Sequence, residues 1–264
     1  MENAVPDILR EIVEQRRQAL SEAAKNTGEL PVLAPGSPLT AEDNAFLAAL
    51  AHRRGSAVIA EVKMGSPRLG DLSQRVDPAA QSRLYAAGGA TALSVVVEPD
   101  FFFGSYELLA ECRKLSGLPA LAKDFVVHPL QLWWAKRAQA DAVLLVAALY
   151  SQPGLLFFAG LARRLGLVPL IELHGEDDLA KLKGHPWEIL GVNNRDLTTF
   201  QVSLSHSEAL APRLPAGALK VAESGIQSRA EIERLARAGF DAFLVGESLL
   251  LADDPAAQLA ELVR

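Results

Sequence analysis

Hydrophobic positions along this chain alternate between two patterns. Short runs that are apolar at successive residues occupy 57–63, 92–97, 118–123, 142–146, 168–172, 189–192, 219–222 and 242–245. Continuous apolar runs of this length are what strands buried on both faces look like. Between them lie amphipathic stretches of helical period at 78–87, 106–115, 129–139, 152–165, 176–183, about 205–214, 229–238 and 255–263. Several open on proline, as at Pro78, Pro129 and Pro255, and several close on glycine, as at Gly88, Gly166 and Gly239, the asymmetry expected of helix ends. Eight strand–helix units with short connections demand a parallel sheet. The count matches an α/β fold, a closed (β/α)8 TIM barrel. An open doubly wound sheet is the competing arrangement, because periodicity does not report closure. Ahead of the first strand, Ile8, Leu9, Ile12 and Val13 mark a helix over 6–24, and a shorter helix is predicted over 41–52. The proline- and glycine-bearing stretch 27–38 reads as a loop between them. The expected organisation is one barrel domain over 1–264, with 1–53 as a helical extension packed on it.

The apolar runs share a second feature: they end in polar or ionised residues. Glu61 and Lys63 close the first, Lys123 the third and Glu172 the fifth. Asn193 follows the sixth and Glu223-Ser224 the seventh. Charge at the tail of an apolar strand is costly unless something there uses it. In a parallel barrel those tails meet at one face, the face that carries active sites. Glu61 and Lys63 are two residues apart and so point to the same side of their strand. Lysines and carboxylates crowded into an apolar mouth shift one another's pKa and can work as acid and base near neutral pH. The plainer alternative is a set of ion pairs that fastens the barrel top. Gly225 and Gly246-Glu247, after the last two strands, stand where barrels bind phosphate through backbone N–H groups. An ordinary tight turn would read the same way. The Glu247 carboxylate would repel a phosphate there, so it is expected to turn outward and offer only its N–H. Phe101-Phe102-Phe103, after the second strand, fits either loop packing or a wall for a flat aromatic ligand.

Composition narrows the partners. Of 264 residues half are hydrophobic and 22% charged, with a net charge of -6, so a nucleic-acid role has no electrostatic support. A single cysteine, Cys112, rules out a disulfide framework and a thiolate zinc site, and reads as a small helix-packing residue. The five histidines, His52, His128, His174, His185 and His206, show no metal-ligand spacing and read as solvated or loop residues. The N-terminus lacks a secretory pattern, and no apolar run is long enough to span a bilayer. The expectation is a cytoplasmic protein that engages neither membrane nor nucleic acid.

At these same residues the chain resembles the indole-3-glycerol phosphate synthase family of tryptophan biosynthesis. The likeness runs through Ile59-Ala60-Glu61-Val62-Lys63 with Ser66-Pro67, then Ala92-Leu93-Ser94-Val95 with Glu98 and Phe102-Phe103-Gly104-Ser105. It continues through Lys123-Asp124-Phe125, Glu172-Leu173-His174, Gly191-Val192-Asn193-Asn194-Arg195-Asp196-Leu197, Glu223-Ser224-Gly225-Ile226 and Val245-Gly246-Glu247-Ser248-Leu249. The resemblance implies a monomeric lyase that closes the ring of 1-(o-carboxyphenylamino)-1-deoxyribulose 5-phosphate, with loss of carbon dioxide and water and with no metal or organic cofactor. It further implies that Lys123 is the general acid at the ribulose carbonyl and Glu172 its partner acid or base. Glu61 would hold the lysines. Lys63 would meet the substrate carboxylate, and whether it also donates a proton is open. Asn193, Arg195, Glu223 and Ser224 would fix hydroxyls and carboxylate. Ser66, Gly225, Gly246 and Glu247 would hold the phosphate, and Phe102, Phe125, Pro67 and Leu197 the anthranilate ring. The chain departs from the family pattern at Ala122, Val97 and Arg68, none of them a catalytic position. Another phosphate-binding barrel enzyme, such as phosphoribosylanthranilate isomerase, is the competing reading. It would be expected to use a cysteine and an aspartate as its acid–base pair, and Cys112 lies in a helical stretch.

Overall fold

The computed structural model describes residues 7–27, 30–31, 33–196 and 199–264. Its strands are β1 (Ala57–Val62), β2 (Gly65–Ser66), β3 (Gly70–Asp71), β4 (Ala92–Val96), β5 (Ala120–Lys123), β6 (Ala142–Val146), β7 (Val168–Leu173), β8 (Ile189–Asn193), β9 (Leu219–Glu223) and β10 (Ala242–Val245). Strands β1 and β4 to β10 form a closed barrel, with β10 pairing to β1 in parallel from Ala57 beside Ala242 to Ala60 beside Val245. Closure decides against the open sheet. β2 and β3 form a small antiparallel hairpin above β1. No periodic signal announced it, since two-residue strands are too short to show one.

The helices are α1 (Asp7–Thr27), α2 (Ala45–His52), α3 (Pro78–Ala87), α4 (Tyr106–Ser116), α5 (Pro129–Arg137), α6 (Gln152–Arg164), α7 (Glu176–Lys181), α8 (Leu204–Leu210), α9 (Arg229–Arg237), α10 (Glu247–Leu250) and α11 (Pro255–Val263). Their starts are chemically marked. Asp77 accepts from Ala79 and Ala80 N–H at α3, Ser105 from Leu108 N–H at α4, and Asp254 from Ala256 and Ala257 N–H at α11, the side-chain caps that satisfy otherwise orphaned donors. Cys112 is buried in α4, as a packing residue should be. No helix among the described residues is long and apolar enough to cross a membrane.

Strand alternation divides the core into two clusters. Outward residues such as Val58, Val95, Leu145, Ile171 and Leu190 pack against the helical ring. Inward residues such as Ile59, Leu121, Leu144, Leu170, Val221 and Leu244 fill the barrel. Phe46, Leu47 and Leu50 of α2 join the inner cluster and close its floor. Asn44 pins α2 there. Its side chain caps the helix at Leu47 N–H and donates to the Asp141 and Gly166 carbonyls, just ahead of β6 and β7. α1 goes to the opposite end. Its Arg16 makes a buried two-pronged pair with Asp124, beside Lys123 at the end of β5. The connecting segment runs down the outside, where Gly36 N–H donates to the Gly160 carbonyl of α6.

Candidate active site

The period-2 alternation that fills the barrel also builds its mouth. Continuing the inward stripe Ala57, Ile59 brings Glu61; Leu121 brings Lys123; Val168, Leu170 bring Glu172; Ile189, Gly191 bring Asn193; Leu219, Val221 bring Glu223. Two glycines make this crowding possible. A Cβ at Gly191 would lie 2.2 Å from Glu223 Oε1, and one at Gly246 would lie 2.4 Å from Glu61 Oε1. Each glycine vacates the space a carboxylate occupies.

At the centre, Glu61 bridges two ammonium groups, Lys63 Nζ at 3.2 Å from Oε1 and Lys123 Nζ at 3.0 Å from Oε2. Burial alone would raise the Glu61 pKa, but the charges of Lys123 and Lys63 outweigh it and bring the group down to about 2. For Lys123, burial favours the neutral amine. The charge and hydrogen bond of Glu61 and the charge of Glu172 overcome it and raise the pKa, so the residue is a firm cation.

The other two carboxyl groups are pushed apart. Glu172 accepts from Asn193 Nδ2 at 3.3 Å on one oxygen and meets His174 Nε2 at 2.7 Å on the other. Burial raises its pKa, but His174 and Lys123 lower it further, and it is ionised. Glu223 is wholly buried; no donor among the described residues reaches its oxygens, and its own carboxyl is hydrogen-bonded to that of Glu172. Its nearest cation is Lys123 Nζ at 3.7 Å. Burial and the neighbouring Glu172 charge raise its pKa well above the usual range, and it holds its proton. Two adjacent carboxyl groups thus carry different charges.

Around this cluster opens a cavity of about 1020 Å³ lined by Glu61, Lys63, Ser66, Pro67, Phe102, Lys123, Phe125, Glu172, Asn193, Arg195, Ser224, Gly225, Gly246 and Glu247. Phe102 and Phe125 face each other with ring centroids 6.0 Å apart. Phe102 is set by Glu98, whose buried carboxylate accepts the Asp100, Phe101 and Phe102 N–H groups. Of the residues expected here, Glu223 lies beneath the cavity wall rather than on it, and Leu197 falls outside the described residues. Ser224 and Gly225 both take left-handed backbone, at φ 67° and 81°, which turns the loop after β9 sharply across the mouth. The Glu247 carboxylate is tied to Arg68 at 2.5 Å and Arg195 at 3.1 Å.

Sequence reasoning missed three contributors. Ile8, Leu9 and Ile12 of α1 line the same cavity; their stripe was legible, but not the end of the barrel it would cover. Arg68 stands over the mouth as the partner of Glu247. His174 is a correction in part: it does lie in the loop just after β7, but it is not solvated, since its side chain is 15% exposed and hydrogen-bonded to Glu172. The usable signal was its spacing of two residues from Glu172, which keeps both on one side of the chain as the strand ends.

Comparison with known proteins agrees with this geometry. Residues 9–262 match the family model described as indole-3-glycerol phosphate synthase. A protein named indole-3-glycerol phosphate synthase from Sulfurimonas denitrificans is 43% identical over 205 residues, 78% of each chain. One of the same name from Kineococcus radiotolerans is 42% identical over 213 residues, 81% of this chain and 78% of that one. Among solved structures, thiamine phosphate pyrophosphorylase from Pyrococcus furiosus superposes with a TM-score of 0.58 at 16% identity. The match covers 80% of this chain and 95% of that one, and at that identity it speaks to the barrel fold alone. A family match across nearly the whole chain, with relatives above 40% identity, places this protein in the indole-3-glycerol phosphate synthase family.

Proposed function

We propose that the chain converts 1-(o-carboxyphenylamino)-1-deoxyribulose 5-phosphate to indole-3-glycerol phosphate, carbon dioxide and water. The observation that carries this reading is the Lys123 ammonium, held cationic by carboxylates at the base of the cavity, with ionised Glu172 across from it. A positioned cation in a dry site is what a ribulose carbonyl needs to accept an aryl carbon, because charge developing on oxygen is stabilised there. Lys123 protonates that oxygen as the ring carbon attacks and the new C–C bond forms. The carboxylate leaves as carbon dioxide, and the hydroxyl departs as water. Loss of carbon dioxide restores the benzene ring, and Glu172 removes a proton from the methylene carbon beside the nitrogen as the hydroxyl departs, which completes the pyrrole ring.

Binding follows the cavity's chemistry. The phosphate sits on the Ser66 hydroxyl and the backbone N–H groups of Gly225 and Gly246-Glu247. The anthranilate ring lies among Phe102, Phe125 and Pro67, with Leu197 as a further contact on sequence grounds. Lys63 meets the substrate carboxylate, and Glu61 keeps both lysines in place. Asn193, Arg195 and Ser224 hold hydroxyl and carboxylate oxygens. Glu223, protonated, is a donor at the edge of the Lys123 pocket. The isomerase alternative is disfavoured, because Cys112 is buried in α4, away from the mouth. The reading also takes the protein to be a monomeric cytoplasmic enzyme.

The test is turnover, followed by the fluorescence of the indole product. Lys123→Ala and Glu172→Gln should each lower kcat by about 10²–10⁴-fold, with circular dichroism unchanged. Substantial activity in either variant would remove that residue from its role.

A further inference from the structure

The pairing of Glu172 with His174 asks for an explanation that the reaction scheme does not supply. His174 does not line the cavity, whereas Glu172 does. Nε2 of the ring is hydrogen-bonded to Glu172 Oε1 at 2.7 Å, and the buried ring is held on its other side by the Arg195 backbone. The backbone around it is anchored independently. Asp178 of α7 accepts the His174 N–H at 2.9 Å and is itself paired with Lys181 at 3.0 Å. The second Glu172 oxygen faces Asn193, whose Oδ1 accepts the Arg195 N–H at 3.0 Å. The carboxylate is therefore gripped from two strand ends, by a neutral amide on one side and an imidazole on the other.

We propose that His174 is a positioning residue for Glu172: without touching substrate, it fixes the carboxylate's direction and keeps it ionised beside Glu223. The inference rests on the assignment of Glu172 as the base.

The electrostatics agree with the geometry. Glu172 is faced by His174, Lys123 and Glu223, and His174 by Glu172, Asp178 and His206. Burial acts to lower the His174 pKa, but the charge and hydrogen bond of Glu172, helped by Asp178, raise it above its ordinary value. The imidazolium form is therefore favoured where the base must be ionised. Removing it would leave buried Glu172 with Lys123 as its remaining counter-ion and the Glu223 carboxyl as a neutral hydrogen-bond donor. Desolvation would then push Glu172 toward its protonated form.

The experiment is kcat and KM against pH for the full chain and for His174→Ala, His174→Gln and Glu172→Gln. His174→Ala should lose about 10- to 100-fold in kcat, part of the 10²–10⁴-fold a positioned base contributes, with KM nearly unchanged. Its acid limb should move to higher pH by roughly one pH unit. His174→Gln keeps a donor toward Glu172 but no charge. It should recover most of kcat well above the limb while the limb stays displaced. A folded His174→Ala or His174→Gln with the parent kcat and the parent limb overturns the proposal. So does a loss that tracks only the folded fraction, with the limb in place. If the alanine variant does not fold, the glutamine variant decides. Should Glu172→Gln itself turn over, the base assignment fails and this inference with it. If Glu172→Gln is dead and the histidine variants behave as the parent, only this inference fails.

Discussion

At the amino ends of the barrel strands the inward residues are Ala57, Ala142, Val168, Ile189 and Ala242, sealed by Phe46 and Leu50 of α2. Four residues further along β1, β7 and β9 the same stripes end in Glu61, Glu172 and Glu223, with Lys123 beside them from β5. Backbone, alternation and burial are shared by the two ends; only the side chains differ. The floor is therefore a region where removing volume costs stability and leaves chemistry alone. The mouth is a region where ionisable groups are held in a dry site against their solvation, tolerable only because each charge has a partner. Stability and activity should separate along the strand axis.

The largest effects test that separation. The Lys123 and Glu172 substitutions probe the mouth and should remove activity from a folded protein. Phe46→Ala probes the floor. It should cost about 3–5 kcal/mol of unfolding free energy, read by urea denaturation, while kcat per folded molecule stays at the parent value. A clear fall in kcat for folded Phe46→Ala would show that the two ends are mechanically coupled.

An intermediate effect concerns acid. The Glu61 pKa is brought down to about 2 in the folded chain from its ordinary 4.5, so its stabilisation is fully present above pH 4.5 and is lost as the pH falls through about 2. Glu223 has the opposite sign: its raised folded-state pKa favours the native state at low pH, an advantage that fades as the pH rises. Unfolding free energies of the parent and Glu61→Gln should therefore differ most near neutral pH and converge toward pH 2. A gap independent of pH would mean that the lysine pairs do not set Glu61's contribution.

The smallest effect belongs to the rim. Arg68 and Glu247 are 54% and 39% exposed in their side chains, so their pair resembles a surface salt bridge. Arg68→Ala should change stability by no more than about 1 kcal/mol. Its measurable consequence is for KM, because freeing Glu247 places an unmatched carboxylate beside the glycine loop proposed for phosphate. An unchanged KM would show that Arg195 alone suffices to hold Glu247 aside.

Much of this was legible in the chain. Helix starts marked by Pro78 and Pro255 lie where the pattern predicts them, and the strands at 142–146 and 242–245 agree to the residue. The polar strand tails could be read too, because one-sidedness at a spacing of two is a local property. Three features gave no such signal. The short α10 and the hairpin of β2 and β3 are below the length at which a period registers. The destination of α1 depends on the Arg16–Asp124 pair, which joins residues 108 apart. His174 did carry the spacing signal, two residues from Glu172, but looked like one of five scattered histidines until its ring was seen against that carboxylate.

Local chemistry in the chain specifies the order of elements, their caps and which side of each strand is apolar, since these depend on dihedral preference and periodicity over a few residues. Closure, the assignment of α1 to the mouth and α2 to the floor, and the different protonation states of Glu172 and Glu223 come only with the three-dimensional arrangement. Electrostatic energies depend on distance and on exclusion from water, and those are defined only once strands remote in sequence stand side by side.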